Sequence, residues 1–195
     1  MQATFPFYLK LGFDHIADLN GLDHILFLIA LCAVYRIEQW RKILILVTAF
    51  TIGHSVTLAL ASLDFILLPS SLIKFLIPLT ILVAALNNVI GKGVDLQEKK
   101  MKRNYVMALF FGFIHGLDFS NYFKALLFDS GNIIVPLLGF NLGIELAQLL
   151  VVLGIVLVAY LGVKQLKIKH PEWNVFISGM AAGLAIISLF ENKIW

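Results

Sequence analysis

The sequence predicts an all-α fold, a polytopic membrane helical bundle of about six transmembrane helices. Three observations lead there. Of the 195 residues, 60% are hydrophobic and only 14% charged, with a mean hydropathy of +0.91, a balance that a water-exposed surface does not sustain. The apolar residues gather in long runs, and about 20 apolar residues cross the hydrocarbon of a bilayer. Those runs lack the period-2 alternation and the roughly 10-residue segments of a membrane barrel.

The runs fall at 20–35, 43–63, 72–91, 104–127, 133–163 and 174–190. The first is headed by Asp23 and His24 and closes on a basic turn with Arg36, Arg41 and Lys42. The second carries TAFTIGHSVTLA, and the third carries Thr80, Asn87 and Asn88 before closing on Lys92, Lys99, Lys100, Lys102 and Arg103. The fourth holds His115 and Asp118; the fifth holds Asn141, Glu145 and Gln148 and closes on Lys164, Lys167 and Lys169. The alternate turns hold only Lys10, Lys74, Lys124 and Lys193, so the positive-inside rule puts both termini on the non-cytoplasmic side. Small residues one turn apart, Gly112 with Gly116, Gly139 with Gly143 and Gly179 with Gly183, predict close helix contacts.

Loops this short leave no room for a soluble domain, and residues 1–195 are expected to form a single integral membrane domain. The opening MQATFPFYLKLGF lacks a basic start and a small-residue cleavage site, and Lys10 interrupts its apolar run, so it is expected to be retained. The lone Cys32 excludes a disulfide framework and a Cys-rich metal site. The formal charge of +3 is an orientation signal and implies no nucleic acid partner; the basic stretch GKGVDLQEKKMKRN is expected to lie against anionic lipid. His170, in a basic turn, is expected to be solvated.

Ionisable groups inside a span cost ~2.5–3.5 kcal/mol each on lenient insertion scales and need partners. Here His24, His54, His115 and Glu145 fall in four different spans, at depths of about 6, 13, 12–18 and 12–18 Å from the outer end at ~1.5 Å per residue. All four belong to the outer half of the membrane, where facing helices can build a metal site. The expected ligands are His15, Asp23, His24, His54, His115 and Glu145. Thr51, His54 and Ser55 make one polar stripe and Asn141, Glu145 and Gln148 another. Asp18, Thr51, Ser55, Asp118, Asn141 and Gln148 are therefore expected to support and orient the ligands. Imidazole and carboxylate without thiolate suit a divalent transition ion such as Ni²⁺, Co²⁺ or Zn²⁺.

The segments HIADLNGLDHILF, FTIGHSVTLALA, FGFIHGLDF and FNLGIELAQ, in that order over residues 11 to 152, closely resemble the signature blocks of the HupE/UreJ family of bacterial membrane proteins. The resemblance implies a six- or seven-helix inner-membrane protein assigned to nickel, or nickel and cobalt, transport. It carries over His15, Asp23, His24, His54, Ser55, His115, Asn141, Glu145 and Gln148. The chain departs from the family pattern in having Lys74 and Thr80 where many relatives have a Glu before a Ser, and Asp118 where a Gly is expected.

Two functions follow from these residues. A transporter would capture a divalent ion at the outer cluster, yet the inner halves of the spans, around 29–35, 43–50, 104–110 and 150–160, offer little that is polar beyond Thr48 and Tyr160. An intramembrane zinc-type hydrolase acting on a lipid or a membrane-borne amide or ester would use three His ligands, with Asp23, Ser55 or Glu145 as the catalytic groups.

On one straight helix His15 and His24 would lie on opposite faces and ~13 Å apart, so they cannot share a metal. Asn20-Gly21 offers a break, with Asn20 as N-cap of a helix starting at Gly21 and Asp23 in its first turn. GFDHIAD is then expected to be a short surface helix or re-entrant segment that folds His15 over the site, with Asp18 as its orienting carboxylate.

Overall fold

The computed structural model describes residues 4–18, 22–91, 98–127 and 133–194. Asn20, Gly21 and Lys92 lie outside these. The described residues form helices and no strand: α1 Phe5–Ala17, α2 Asp23–Ala33, α3 Trp40–Ser62, α4 Ser70–Ile90, α5 Glu98–Asp118, α6 Ser120–Leu127, α7 Ile134–Tyr160 and α8 His170–Glu191. A π-helical stretch, Leu161–Gln165, prolongs α7. Among the described residues four helices are long and apolar enough to cross a membrane: Ile37–Ser62, Ser70–Ile90, Ile134–Gln165 and His170–Glu191. Their outward faces are apolar, as Leu138, Leu142, Leu146, Leu150, Leu153 and Leu157 along α7 illustrate. Such a surface suits lipid, not water.

The remaining helices differ from the sequence expectation in an informative way. The first run begins its helix at Asp23, after Leu22, two residues beyond the expected Gly21 start. The fourth run is not continuous: α5 ends at Asp118 and α6 begins at Ser120. At that break the Ser120 hydroxyl donates to the Leu117 carbonyl (2.7 Å), serving an oxygen that the interrupted helix would otherwise leave without a donor.

Contacts along the neighbours show how these pieces align. α5 runs parallel to α3, since Gly112 meets Phe50 and Gly116 meets His54 and Thr57. α6 carries on past the end of α3, where Ser62 donates to the Ser120 carbonyl and Lys124 pairs with Asp64. Against this line α2 runs antiparallel to α5, His24 beside His115, Phe27 beside Phe111, and Tyr35, just past its end, bonded to Asn104. α1 runs antiparallel to α6, His15 beside Phe119 and Tyr8 bonded to the Leu126 carbonyl. So α1 and α2 point the same way, as do α5 and α6. Each pair is one broken helix, and the two breaks meet.

α1 is therefore not a helix lying on the surface. Tyr8 and Ile16 are fully buried, and the helix descends along α7 with Gly139 against Phe5 and Tyr8 and Gly143 against Leu9 and Phe13. A Cβ at Gly12 would lie 2.0 Å from the Phe140 carbonyl oxygen, so the two backbones touch only because Gly12, Gly139 and Gly143 are bare. Gly53, Gly112 and Gly116 do the same for α3 and α5. Gly12 and Gly53, the partners of the spaced pairs, carry no spacing signal of their own. At Gly179 and Gly183, where the spacing predicts a contact, nothing among the described residues lies within 4 Å. The apolar interior divides in two. A smaller cluster around Tyr8, Ile16, Phe123, Phe140 and Ile144 joins α1, α6 and α7, and a larger one around Phe27, Leu46, Phe50, Ile81 and Phe111 joins α2 to α5. The histidines lie between them.

Candidate metal centre

The breaks bring imidazoles together that no single helix could. His15 sits in the last turn of α1 and His24 in the first turn of α2, and their ring centroids are 4.7 Å apart. His54, from the second half of α3, lies 5.8 Å from His15 and 6.0 Å from His24, centroid to centroid. Each of the three offers a ring nitrogen, and these atoms all lie within 4.8 Å of one another. His115 stands next in line, 5.1 Å from His24.

His54 and His115 are fully buried and His24 is 6% exposed. The walls around them are aromatic: Phe119 and Phe140 stack beside His15, and Phe50 and Phe27 pack against His115. In this dry setting His15 Nε2, His24 Nε2, both nitrogens of His54 and His115 Nδ1 have no hydrogen-bond partner among the described residues. A buried polar atom left unpaired costs about 1–3 kcal/mol, so these nitrogens are open to a ligand. His15, His24 and His54 as neutral imidazoles could share one cation, and a three-His set leaves coordination positions open.

His115 is oriented by a residue that sequence reasoning noticed but did not place in the site. The Thr80 hydroxyl donates to the Ile77 carbonyl (2.7 Å), and a hydroxyl has one proton. The 3.2 Å contact between Thr80 Oγ1 and His115 Nε2 is then an N–H donated by the ring, which leaves the lone pair on Nδ1, the unpartnered atom. Thr80→Val is expected to free the ring and weaken metal binding roughly 10-fold, the low end of the cost of losing a supporting group. Competition against a chromophoric chelator measures this, and an unchanged affinity would put His115 outside the site.

The other expected residues are distributed as follows. Glu145 stands apart from the histidine group: its Oε1 accepts from Thr48 (2.8 Å) on the exposed seam between α3 and α7. One turn along that seam Thr51 donates to Gln148 Oε1 (2.7 Å), and Gln148 is fully buried. Ser55 donates to the Thr51 carbonyl of its own helix (2.7 Å). Asn141 Oδ1 is buried without a partner, one residue from the wall-forming Phe140. Asp23, half-buried in the first turn of α2, lies within electrostatic range of the exposed Asp118, which in turn faces Lys74. Asp18 joins Asp14, His15, Phe119 and Tyr122 around an open cleft of about 590 Å³. His15 thus belongs both to the cleft and to the buried group. The aromatic walls carried no sequence signal, because a Phe facing a histidine and one facing lipid look alike in an apolar run.

A family model described as HupE / UreJ protein matches residues 1–192. The chain belongs to the HupE/UreJ family. This is a family of membrane proteins associated with nickel and cobalt uptake. No curated protein and no solved structure matches the chain significantly. Within this HupE/UreJ protein, the motif HIADLNGLDHILF supplies His15 and His24, FTIGHSVTLALA supplies His54, and FGFIHGLDF supplies His115. Three of the four signature segments converge on the imidazoles, and the fourth, FNLGIELAQ, contributes Phe140 to their wall.

Proposed function

We propose that this HupE/UreJ protein carries a divalent transition-metal ion of the nickel or cobalt type across the bacterial cytoplasmic membrane. The observation that carries this reading is the meeting of His15, His24 and His54, their ligand atoms within 4.8 Å, at the point where two broken helices abut. Discontinuous helices around a central site are a recurring device of secondary transporters, because the interruption lets groups from both halves face a solute. In this reading the four long helices and the two broken ones, α1/α2 and α5/α6, make six crossings. The basic turns at Arg36, Arg41 and Lys164 face the cytoplasm, both termini face away from it, and the cleft at His15 is the entrance. Neutral imidazoles favour borderline ions of the Ni²⁺, Co²⁺ and Zn²⁺ group over Mg²⁺ or Ca²⁺. Asp14 and Asp18 line the cleft at His15, where negative charge raises the local concentration of a cation.

The hydrolytic alternative finds less support. A hydrolase needs its nucleophile or base within hydrogen-bond reach of the metal-bound water. Ser55 is committed to a backbone carbonyl and Glu145 to Thr48, leaving Asp23 alone of the three expected groups beside the histidines. Flux into vesicles made with the purified protein tests the reading. Saturable, inward movement of Ni²⁺ or Co²⁺ is expected; metal held tightly with no movement would sink transport and favour a resident-metal role.

A further inference from the structure

An ion captured at the histidines needs a way out, and the sequence analysis found almost nothing polar in the inner halves of the spans. The two residues it did find face outward, Thr48 toward Glu145 and Tyr160 at the surface. The inner polar groups are others, and they line up along one helix. α2 presents His24, Phe27, Leu31 and the residue just past its end, Tyr35, in register with one face, over about 16 Å. His24 lies against His115, and His115 against Phe27 (5.5 Å between centroids).

Past Phe27 lies a cavity of about 30 Å³ between α2, α4 and α5, room for about one water. Leu31 lines it from α2 and Tyr35 from just past its end, Asn87 and Asn88 from α4, and Asn104, Met107 and Ala108 from α5. Its polar groups are anchored but not saturated. Asn88 donates to the Ala30 carbonyl (2.6 Å) and to Ser178 (3.3 Å). Asn104 donates to the Tyr35 hydroxyl (2.8 Å), which donates to Met101 Sδ (3.8 Å), while Asn104 Oδ1 is buried with no partner. Tyr35 also lines a second cleft, of about 460 Å³, at the basic end, with Arg36, Glu38, Lys164 and His170. His170 is not simply solvated there: its Nε2 lies 3.2 Å from the Tyr35 carbonyl, and its Nδ1 is buried and unpartnered.

We propose that the transported ion leaves the histidine centre along α2, by way of His115 and the cavity at Asn88 and Asn104, and reaches the cleft at His170 past Tyr35. This route rests on the transport function proposed above. Its donors descend in strength, from imidazoles that hold a borderline transition ion firmly to carboxamide, phenol and thioether groups that hold it loosely. An ion needs such a gradient to leave as well as to enter. Phe27, fully buried between His115 and Phe111, closes the upper constriction, and Tyr35, tethered by Asn104, closes the lower. Each ring must turn for the ion to pass.

Ala108, 1% exposed, faces the cavity and no metal ligand, so Ala108→Leu plugs the route and spares the centre. With full-length protein in vesicles, this variant is expected to retain stoichiometric Ni²⁺ and to lose at least ~10-fold in Ni²⁺ uptake. A second measurement does not depend on that variant folding. In a Cys32→Ala background, Leu31→Cys is expected to react with a small cationic thiol reagent from the basic side and to stop transporting once modified. Wild-type uptake by a metal-loaded Ala108→Leu protein, or an unreactive Leu31→Cys in a transporting one, overturns the route alone. Absence of Ni²⁺ uptake by the wild type overturns the transport function, and the route falls with it.

Discussion

His54→Ala is expected to lower the affinity for Ni²⁺ by more than ~100-fold and to bring uptake to background. The magnitude follows from position: His54 is fully buried, its ring nitrogen lies within 4.8 Å of those of His15 and His24, and neither of its ring nitrogens has a hydrogen-bond partner among the described residues. Loss of a group that merely supports a ligand costs ~10–100-fold, so loss of a ligand itself costs more. The fold should tolerate the change when metal-free, because the truncation removes two unpaired buried nitrogens along with some packing. Added Ni²⁺ is expected to raise the melting temperature of the wild type by mass action and to leave the variant where it was. Glu145→Gln, whose carboxylate engages Thr48, is the companion variant and should keep its metal. Elemental analysis of the purified proteins decides: stoichiometric metal in His54→Ala would remove the histidine group as the binding centre.

Gly53→Ala is expected to prevent α3 and α5 from docking, and with them the centre from forming. A Cβ there would lie 2.2 Å from the Leu109 carbonyl oxygen and 3.0 Å from the Phe113 nitrogen. Both are backbone atoms, so relief requires the helices to separate and carries His54 away from His115. Overpacking of this kind costs about 1–3 kcal/mol when a core can yield, and more when it cannot. Gly183→Ala, the same change where nothing among the described residues lies within 4 Å, should be neutral or slightly stabilising through helix propensity. Yield and monodispersity of the two proteins in detergent, with thermal unfolding, provide the comparison. A well-folded Gly53→Ala protein that still binds metal would show that the contact is not a constraint.

Much was legible in the chain without its fold. Hydropathy reports burial in lipid one segment at a time, so the all-helical membrane class and the approximate runs could be read locally. The cost of an imidazole inside hydrocarbon marks His24, His54 and His115 as residues that need partners whatever the topology. The angle between His15 and His24 even demanded a break between them. The small-residue pairs at Gly112 and Gly139 announced close packing, and the contacts at both are present.

What remained hidden depends on pairs of residues far apart in the chain. Gly12 and Gly53 stand alone in sequence and become visible only opposite Gly143 and Gly112. Glu145 and Gln148 share a helix face, yet one meets an exposed threonine and the other a buried one, because α7 crosses α3 at an angle that no linear pattern encodes. The polar residues Asp118, Ser120 and Asn121 flank the interruption at Phe119, but a helical pattern does not place it: α5 stops there because its glycines hold it against α3 as far as Thr57, and α6 continues past the end of α3. Asn88 reads as one of a polar set with Thr80 and Asn87, and Asn104 as the end of a basic stretch; they line one cavity only because α4 and α5 both reach α2 there. Local chemistry determined which residues could not be left to lipid; the packing of broken helices decided which of them meet.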